Sequence, residues 1–365
     1  TEEFYRMLDR HLKDDGLLVQ WIHIYELDDR VFSPMPAALS KVFPHIQVYV
    51  VNSGDLLLVA SRSPIREPDF SRFPQPIIER ELKRLDAYSA ESVRMRIVAD
   101  KPFLDAYLWG QDAKPHSDFY PFVMLNAPRT RFKKENAFGL ISYVGAGVPL
   151  LDGLVLKRPF AFDGELIPTS GNPRSDGIAV ARRLLAILQH DDARAIDELL
   201  GKHDLSGAFF LKRFAGKAVG PRERQKWQRS LIQIAGVLAN NTNREQVVAL
   251  LESGAIKPDL EASDPTVAVV YEIYRTIGSG DHARILAIPT APFATEDSGY
   301  DPVVGDYVLA SQMLSAIQTE NAAAFQNALN DSARRAGDPS MRQTRLLLHL
   351  YGLQHFKGIK LDGAQ

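Results

Sequence analysis

Apolar and polar positions recur along this chain with two different periods, and the change between them divides it. In TEEFYRMLDRHLK, Phe4, Met7, Leu8 and Leu12 fall at helical spacing and predict a helix with one buried stripe. Thr1 is placed to cap its first amides, and Glu2 and Glu3 sit at the positive end of its dipole. Asp14, Asp15 and Gly16 break it, with Gly16 read as a left-handed residue. Leu17 to Ile24 (LLVQWIHI) is a mostly apolar run between turn signals, the pattern of a strand buried on both faces. A second helical segment ends at Val42 and Phe43, before Pro44. Ile46 to Val51 and Leu56 to Ala60 then predict two strands joined antiparallel through Asn52, Ser53 and Gly54. Helix, strand, helix, strand, turn, strand reads as the closing half of an open α/β sheet. The opening half is not expected among these residues.

From Arg62 the chain turns polar and proline-rich, an excursion off the sheet edge. Helical stripes return at Ile77–Leu85, after Ser89, and over Asp100–Trp109 with Pro102 in the first turn. Pro128 to Thr169 mixes short apolar stretches with Gly and Pro, and predicts short strands or irregular packed loops. Ser170 to Gly177 (SGNPRSDG) reads as a break. Beyond it the period is helical throughout: Ile178–Leu188, Ala195–Leu200, Trp227–Leu238 entered through Pro221, Val247–Leu251, Val267–Ile277, Val303–Ile317, Ala322–Arg335 and Met341–Leu353. Antiparallel helical hairpins stacked as a bundle or a solenoid are expected, without a clean 34-residue repeat. The expected domains are 1–132, an irregular connection over 133–177, and an all-α domain over 178–365.

Composition narrows the chemistry. The 365 residues carry a formal net charge of −2, which gives no electrostatic reason to expect nucleic acid as a partner. The chain has no cysteine, so disulfides, thiolate metal sites and a cysteine nucleophile are all excluded. The lack of cysteine is compatible with the cytoplasmic (bacterial) location expected here, and no apolar run approaches the roughly 20 residues of a membrane helix, so a soluble piece is expected. No H-E-x-x-H or comparable ligand spacing occurs, and His23, His45 and His116 are too scattered to make a metal set. There is no G-x-S-x-G elbow. No G-x-G-x-x-G follows a strand; Gly145 and Gly147 come nearest, in a context that reads as a turn.

Three spaced segments carry a family resemblance: EEFYRMLDRHLKDDGLLVQWIHIYELD (Glu2 to Asp28), VFPHIQVYVVNSGDLLLVAS (Val42 to Ser61) and HSDFYPFVMLNAPRTRF (His116 to Phe132). Together they resemble the second half of the spermidine synthase (polyamine aminopropyltransferase) family, and most of all its long bacterial members fused behind membrane helices. The resemblance implies a partial Rossmann-like sheet of the methyltransferase type, followed here by the helical domain, TPR-like or a bundle. For a longer parent chain it implies aminopropyl transfer from decarboxylated S-adenosylmethionine to a polyamine, and a tether to the inner membrane through an upstream region. The family's Gly-rich cofactor loop and its key acidic residues precede the matching region, so no cofactor is expected on these residues alone.

The best candidate site residues are Gln20, Trp21 and His23 near the end of the first strand, because ligands of open α/β sheets bind outside the carboxyl ends of strands. By resemblance Gln20 aligns with a polar residue of the amine pocket. Tyr25 and Glu26 follow, an aromatic and a carboxylate able to receive a cationic amine. The alternative for these residues is core aromatics and a surface charge. Asp118 is either a functional carboxylate near the mouth of the site or a loop anchor. The cations Arg129, Arg131, Lys133 and Lys134 face either an anion or solvent. Two functions stay open: the amine-side part of an aminopropyltransferase acting on a polyamine or small amine, and a non-catalytic synthase-like scaffold whose helical domain takes a protein partner. Self-association is compatible with both.

Overall fold

The turn at Asn52, Ser53 and Gly54 is held by its own side chains. Asn52 Oδ1 accepts from the Gly54 N–H at 2.7 Å, and Asn52 Nδ2 donates to Asp55 Oδ2 at 2.8 Å, the local bonding that makes Asn a turn former. It joins β2 (His45–Asn52) to β3 (Asp55–Ser61) with Val48 opposite Leu58. The other side of β3 pairs with β1 (Leu18–His23), Trp21 opposite Leu57. A fourth strand, β4 (Ile97–Asp100), lies against β2. The order is β1-β3-β2-β4 and every pairing is antiparallel, so β1 and β2 run the same way with β3 reversed between them. This is a computed structural model, and it describes residues 1–67, 69, 76–85, 87, 89–157, 172–293, 298–335 and 337–359. The chain divides into a sheet unit, Thr1–Val144 with Gly164–Asp176, and a helical unit, Gly145–Asp163 with Gly177–Gln365.

The sheet unit is mixed α/β. Its helices are α1 (Glu2–His11), α2 (Asp29–Phe32), α3 (Pro34–Val42), α4 (Pro76–Arg84), α5 (Ala90–Arg94), α6 (Lys101–Gly110) and α7 (Phe122–Lys133). Asp28 and Asp100 cap α2 and α6, accepting from Val31 N at 2.8 Å and Phe103 N at 3.0 Å. α3 packs on α1 and α6, and α6 on β2 and β4. Under them Ile22, Ile46, Val48, Val50, Leu56, Leu58 and Ala60 form one buried sheet face.

The other face departs from expectation. Along β1 and its flanks Leu17, Val19, Trp21 and Tyr25 are 55%, 53%, 52% and 45% exposed. The run LLVQWIHI is therefore buried on one face only, since the helices packed on the sheet take one side. In α1 the buried residue is Tyr5, whereas Phe4 and Met7 are exposed; Leu12 ends the helix in an extended conformation, and Gly16 is not left-handed. β4 and α7 are additions. Residues 133–157 hold a 3-10 turn (Ile141–Gly145) and a π-type turn (Leu151–Val155) and no strand. The rest of that irregular segment, 158–171, and residues 68 and 70–75 of the proline-rich excursion lie outside the described residues.

In the helical unit α8 (Pro173–His190) begins inside the stretch read as a break, with Pro173 at its first position. α9 (Ala193–Leu199), α10 (Ser206–Arg213), α11 (Arg224–Asn241), α12 (Arg244–Glu252), α13 (Pro265–Ser279), α14 (His282–Leu286), α15 (Pro302–Gln318), α16 (Ala322–Ala333) and α17 (Arg342–His355) follow. Pro221 precedes α11 rather than entering it, and α10 and α14 were not anticipated. α15 is buried on all sides from Val304 to Ile317 and packs on α11, α14, α16 and α17, as an all-round apolar helix must. Among the described residues no helix is long and apolar enough to cross a membrane.

One titration couples this packing to pH. His349 on α17 lies 2.9 Å from Ser332 Oγ, and burial, then Arg345, hold its imidazole down to about 4. An unfolded histidine titrates near 6.5. Between those values the unfolded chain takes the proton first, so this contribution is full above pH 6.5 and fades as pH falls toward 4. Urea unfolding is expected to show about 2 kcal/mol less stability at pH 5 than at pH 7 from this residue. His349→Gln removes that part of the slope; an unchanged slope refutes the assignment.

Candidate functional site

The alternation of β1 sets the geometry. Ile24 N–H donates to Gly54 O at 2.8 Å, so the even residues direct their backbone groups to β3. Val19, Trp21 and His23 direct theirs to the opposite edge, which pairs with no strand among the described residues. The side chains of the odd residues stand on the uncovered face. Trp21, His23 and Tyr25 form a ladder there, with ring centroids 5.7 Å apart in the first step and 4.8 Å in the second. Tyr25 rests on Gly54, where an added Cβ would lie 3.0 Å from its ring.

β3 contributes a residue that sequence reasoning passed over. Asp55 stands directly opposite His23 in the register. One of its carboxylate oxygens accepts from Asn52, and the other, Oδ1, is buried with no hydrogen-bond partner. A buried carboxylate oxygen without a donor is rare and costly. Aromatic rings beside an under-satisfied carboxylate are the elements of a cation site. In the sequence Asp55 sits in a turn, where capping explains an acid, and only the cross-strand register reveals its neighbour.

The remaining candidates separate. Gln20 lies on the opposite side of the strand from the ladder, and its Nε2 donates to Trp21 O at 2.8 Å. It closes one carbonyl of the open edge rather than lining a pocket with the rings. Gln20 and Trp21 are also mid-strand, with only His23 at the end of β1. Glu26 takes the left-handed conformation at φ 57 and is bound to Arg131 at 3.2 Å. α7 fixes this loop: Thr130 Oγ1 donates to Glu26 O at 2.9 Å, and Tyr25 bridges to Asn136. The Glu26 carboxylate is thus already paired. Asp118 belongs to the start of α1, where its N–H donates to Glu3 Oε2 at 3.0 Å and Ser117 Oγ donates to Glu3 Oε1 at 2.7 Å. These bonds hold the Glu3 carboxyl down to about 2. No hydrogen bond or ion pair among the described residues joins Asp118 to the ladder.

Behind the loop lies a half-buried carboxylate, Asp29. It accepts from Tyr107 Oη at 2.9 Å and from Gly139 N at 3.0 Å. Burial raises its pKa against those two bonds. It ties α2 to α6 and to the chain before the 3-10 turn, and Gly139 is close because a Cβ there would lie 2.7 Å from Asp29 Oδ1. Asp29 thus positions the loop, and no hydrogen bond or ion pair among the described residues joins it to the ladder. Gly147 also has a packing role: its backbone abuts Gly236 of α11, where a Cβ would lie 3.1 Å from Gly147 O.

Comparison with protein-family models, with curated proteins and with solved structures finds no match to this chain.

Proposed function

We propose that the sheet unit binds a cationic amine on the uncovered face of β1, and that it is the amine-side wall of a spermidine synthase-like aminopropyltransferase. The observation that carries this reading is Asp55 Oδ1, unpartnered and opposite His23 at the centre of the Trp21–His23–Tyr25 ladder. An ammonium group laid along the ladder gains cation–π attraction, and side-chain movement that uncovers the buried oxygen would give it a donor. The strand order is not that of a doubly wound sheet. What supports a partial sheet of that kind is that β1 and β2 run the same way on either side of β3 and are connected through α2 and α3. Among the described residues no strand leads into a Gly-rich turn and helix of the kind that cradles such a cofactor. Decarboxylated S-adenosylmethionine would supply the aminopropyl group from a site these residues do not make. Their own part is to bind and orient the amine.

A second reading is a synthase-like scaffold without catalysis. The Glu26–Arg131 pair, the tie of Gln20 to its own strand and the distant anchoring of Asp118 favour it, because three of the six expected site residues are spent on structure.

Calorimetric titration of spermidine and methylthioadenosine decides between them, into this chain and into the chain preceded by whatever its gene encodes upstream. Spermidine binding that is weakened about tenfold by Asp55→Asn supports the amine site, a lost charge-assisted hydrogen bond being worth that much. Turnover with decarboxylated S-adenosylmethionine in the longer chain supports the transferase. Silence in both chains sinks the amine reading and leaves the scaffold.

A further inference from the structure

Inside the helical unit is a cavity of about 70 Å³, room for several waters or one small ion. It is enclosed by the starts of α12 and α14, the end of α13, the middle of α15 and the π-type turn. Three glycines open it. Gly280 ends α13 at φ 68, and the Arg244 guanidinium lies where its Cβ would be, Cζ at 2.5 Å. Gly153 in the π-type turn is covered in the same way by the Gln318 amide, whose Nε2 would be 2.9 Å from a Cβ. Gly278 lines the space between them.

The polar lining consists mostly of donors. Arg244 makes no ion pair among the described residues, although it is half-buried at the first position of α12. His282 Nδ1 lies 3.2 Å from Ser315 Oγ; burial, then the Arg244 charge, lower its pKa, so the ring is neutral at pH 7 and the guanidinium is the cation. Ser311 is 5% exposed, lines the cavity, and its Oγ has no hydrogen-bond partner. Asp152 also lines the space and has a partner of its own. A buried hydroxyl without a partner beside an unpaired guanidinium is an arrangement that a bound acceptor would complete.

We propose that this cavity is a binding site for a small oxyanion, a phosphate or carboxylate group, held by the Arg244 guanidinium with hydroxyls from Ser311 and Ser315. Gln318, exposed at the end of α15, marks the mouth, and Ser311 the floor. The site is independent of the amine-binding reading and stands if that reading fails.

Thermal unfolding of the full chain, titrated with sodium phosphate or sodium acetate against sodium chloride at matched ionic strength, tests it. A saturable rise in midpoint with phosphate, or with acetate, is expected, and which of the two acts identifies the group. Arg244→Gln is expected to weaken the apparent affinity about tenfold or more. Ser311→Val, which fills the floor and removes the orphan hydroxyl, is expected to abolish the response while the chain remains folded. A response equal in wild type and Ser311→Val, or none with either anion, overturns the proposal.

Discussion

Replacing Asp306 by alanine is expected to cost the helical unit about 3–5 kcal/mol, the usual penalty for removing one partner of a buried ionic cluster. Asp306 is fully buried in α15. Arg345 Nη1 lies 3.4 Å and Arg335 Nε 3.6 Å from its Oδ1, and the Asp338 N–H donates to its other oxygen. Burial pushes its pKa up, and the Asp338 amide, then Arg345 and Arg335, oppose that. Its charge is therefore not the main source of stability. Removing the acceptor is costly because it leaves the Asp338 N–H without its acceptor and takes the buried counter-charge from Arg335 and Arg345, which keep their backbone acceptors. Asp306→Asn keeps an acceptor of the same shape and is expected to cost clearly less. Urea unfolding of both variants checks the ranking, and an alanine cost below about 1 kcal/mol would place the cluster among ordinary surface pairs.

Trp227→Ala is expected to be as damaging, about 3–5 kcal/mol. Trp227 in α11 is 0% exposed and its ring lies 6.3 Å from that of Tyr271 on α13. Its Nε1 is buried without a partner, so Trp227→Phe removes an unsatisfied donor along with some volume. The phenylalanine variant is therefore expected to lose less than half of what alanine loses. The chain has three tryptophans, and Trp21 and Trp109 are each 52% exposed, so blue-shifted emission is expected from Trp227 and its loss should report the same unfolding. Equal losses in the two variants would show that the unpaired donor costs nothing.

What was legible in the sequence follows from how local each signal is. The β2–β3 hairpin was readable because Asn52 and Gly54 carry their own turn chemistry, and the long helices because α11, α13 and α15 have continuous apolar patterns. β1 was found, but its environment was not: LLVQWIHI is apolar on both faces, and only the tertiary structure shows that one face is left uncovered. α7 was missed for a related reason. Met124, Leu125 and Phe132 are 75%, 69% and 91% exposed and Pro128 lies within it, so neither the apolar stripe nor the propensity of an ordinary surface helix is present. β4 has four residues between a short helix and a cap, too few to alternate visibly. The site was half legible. Trp21, His23 and Tyr25 share a face by simple alternation, whereas Asp55 meets them only through the pairing of β1 with β3. Arg244, His282 and Ser311 come together from three helices with no spacing to announce them.

The position of β3 also imposes an order of assembly. β1 and β2 do not pair with each other; what joins them in the sheet is β3, the strand made after both, and β1 pairs with β3 alone among the described strands. The β2–β3 hairpin closes across a two-residue turn and forms on the microsecond scale of local structure. β1 must then find β3 across residues 24–54, which hold α2, α3 and β2, a slower search. During synthesis, β1 therefore leaves the ribosome as an apolar strand without a partner and stays so until Ser61 has followed it. Chaperone dependence, if this chain has any, should be set in that interval, and slowing translation just after β2 should lengthen it.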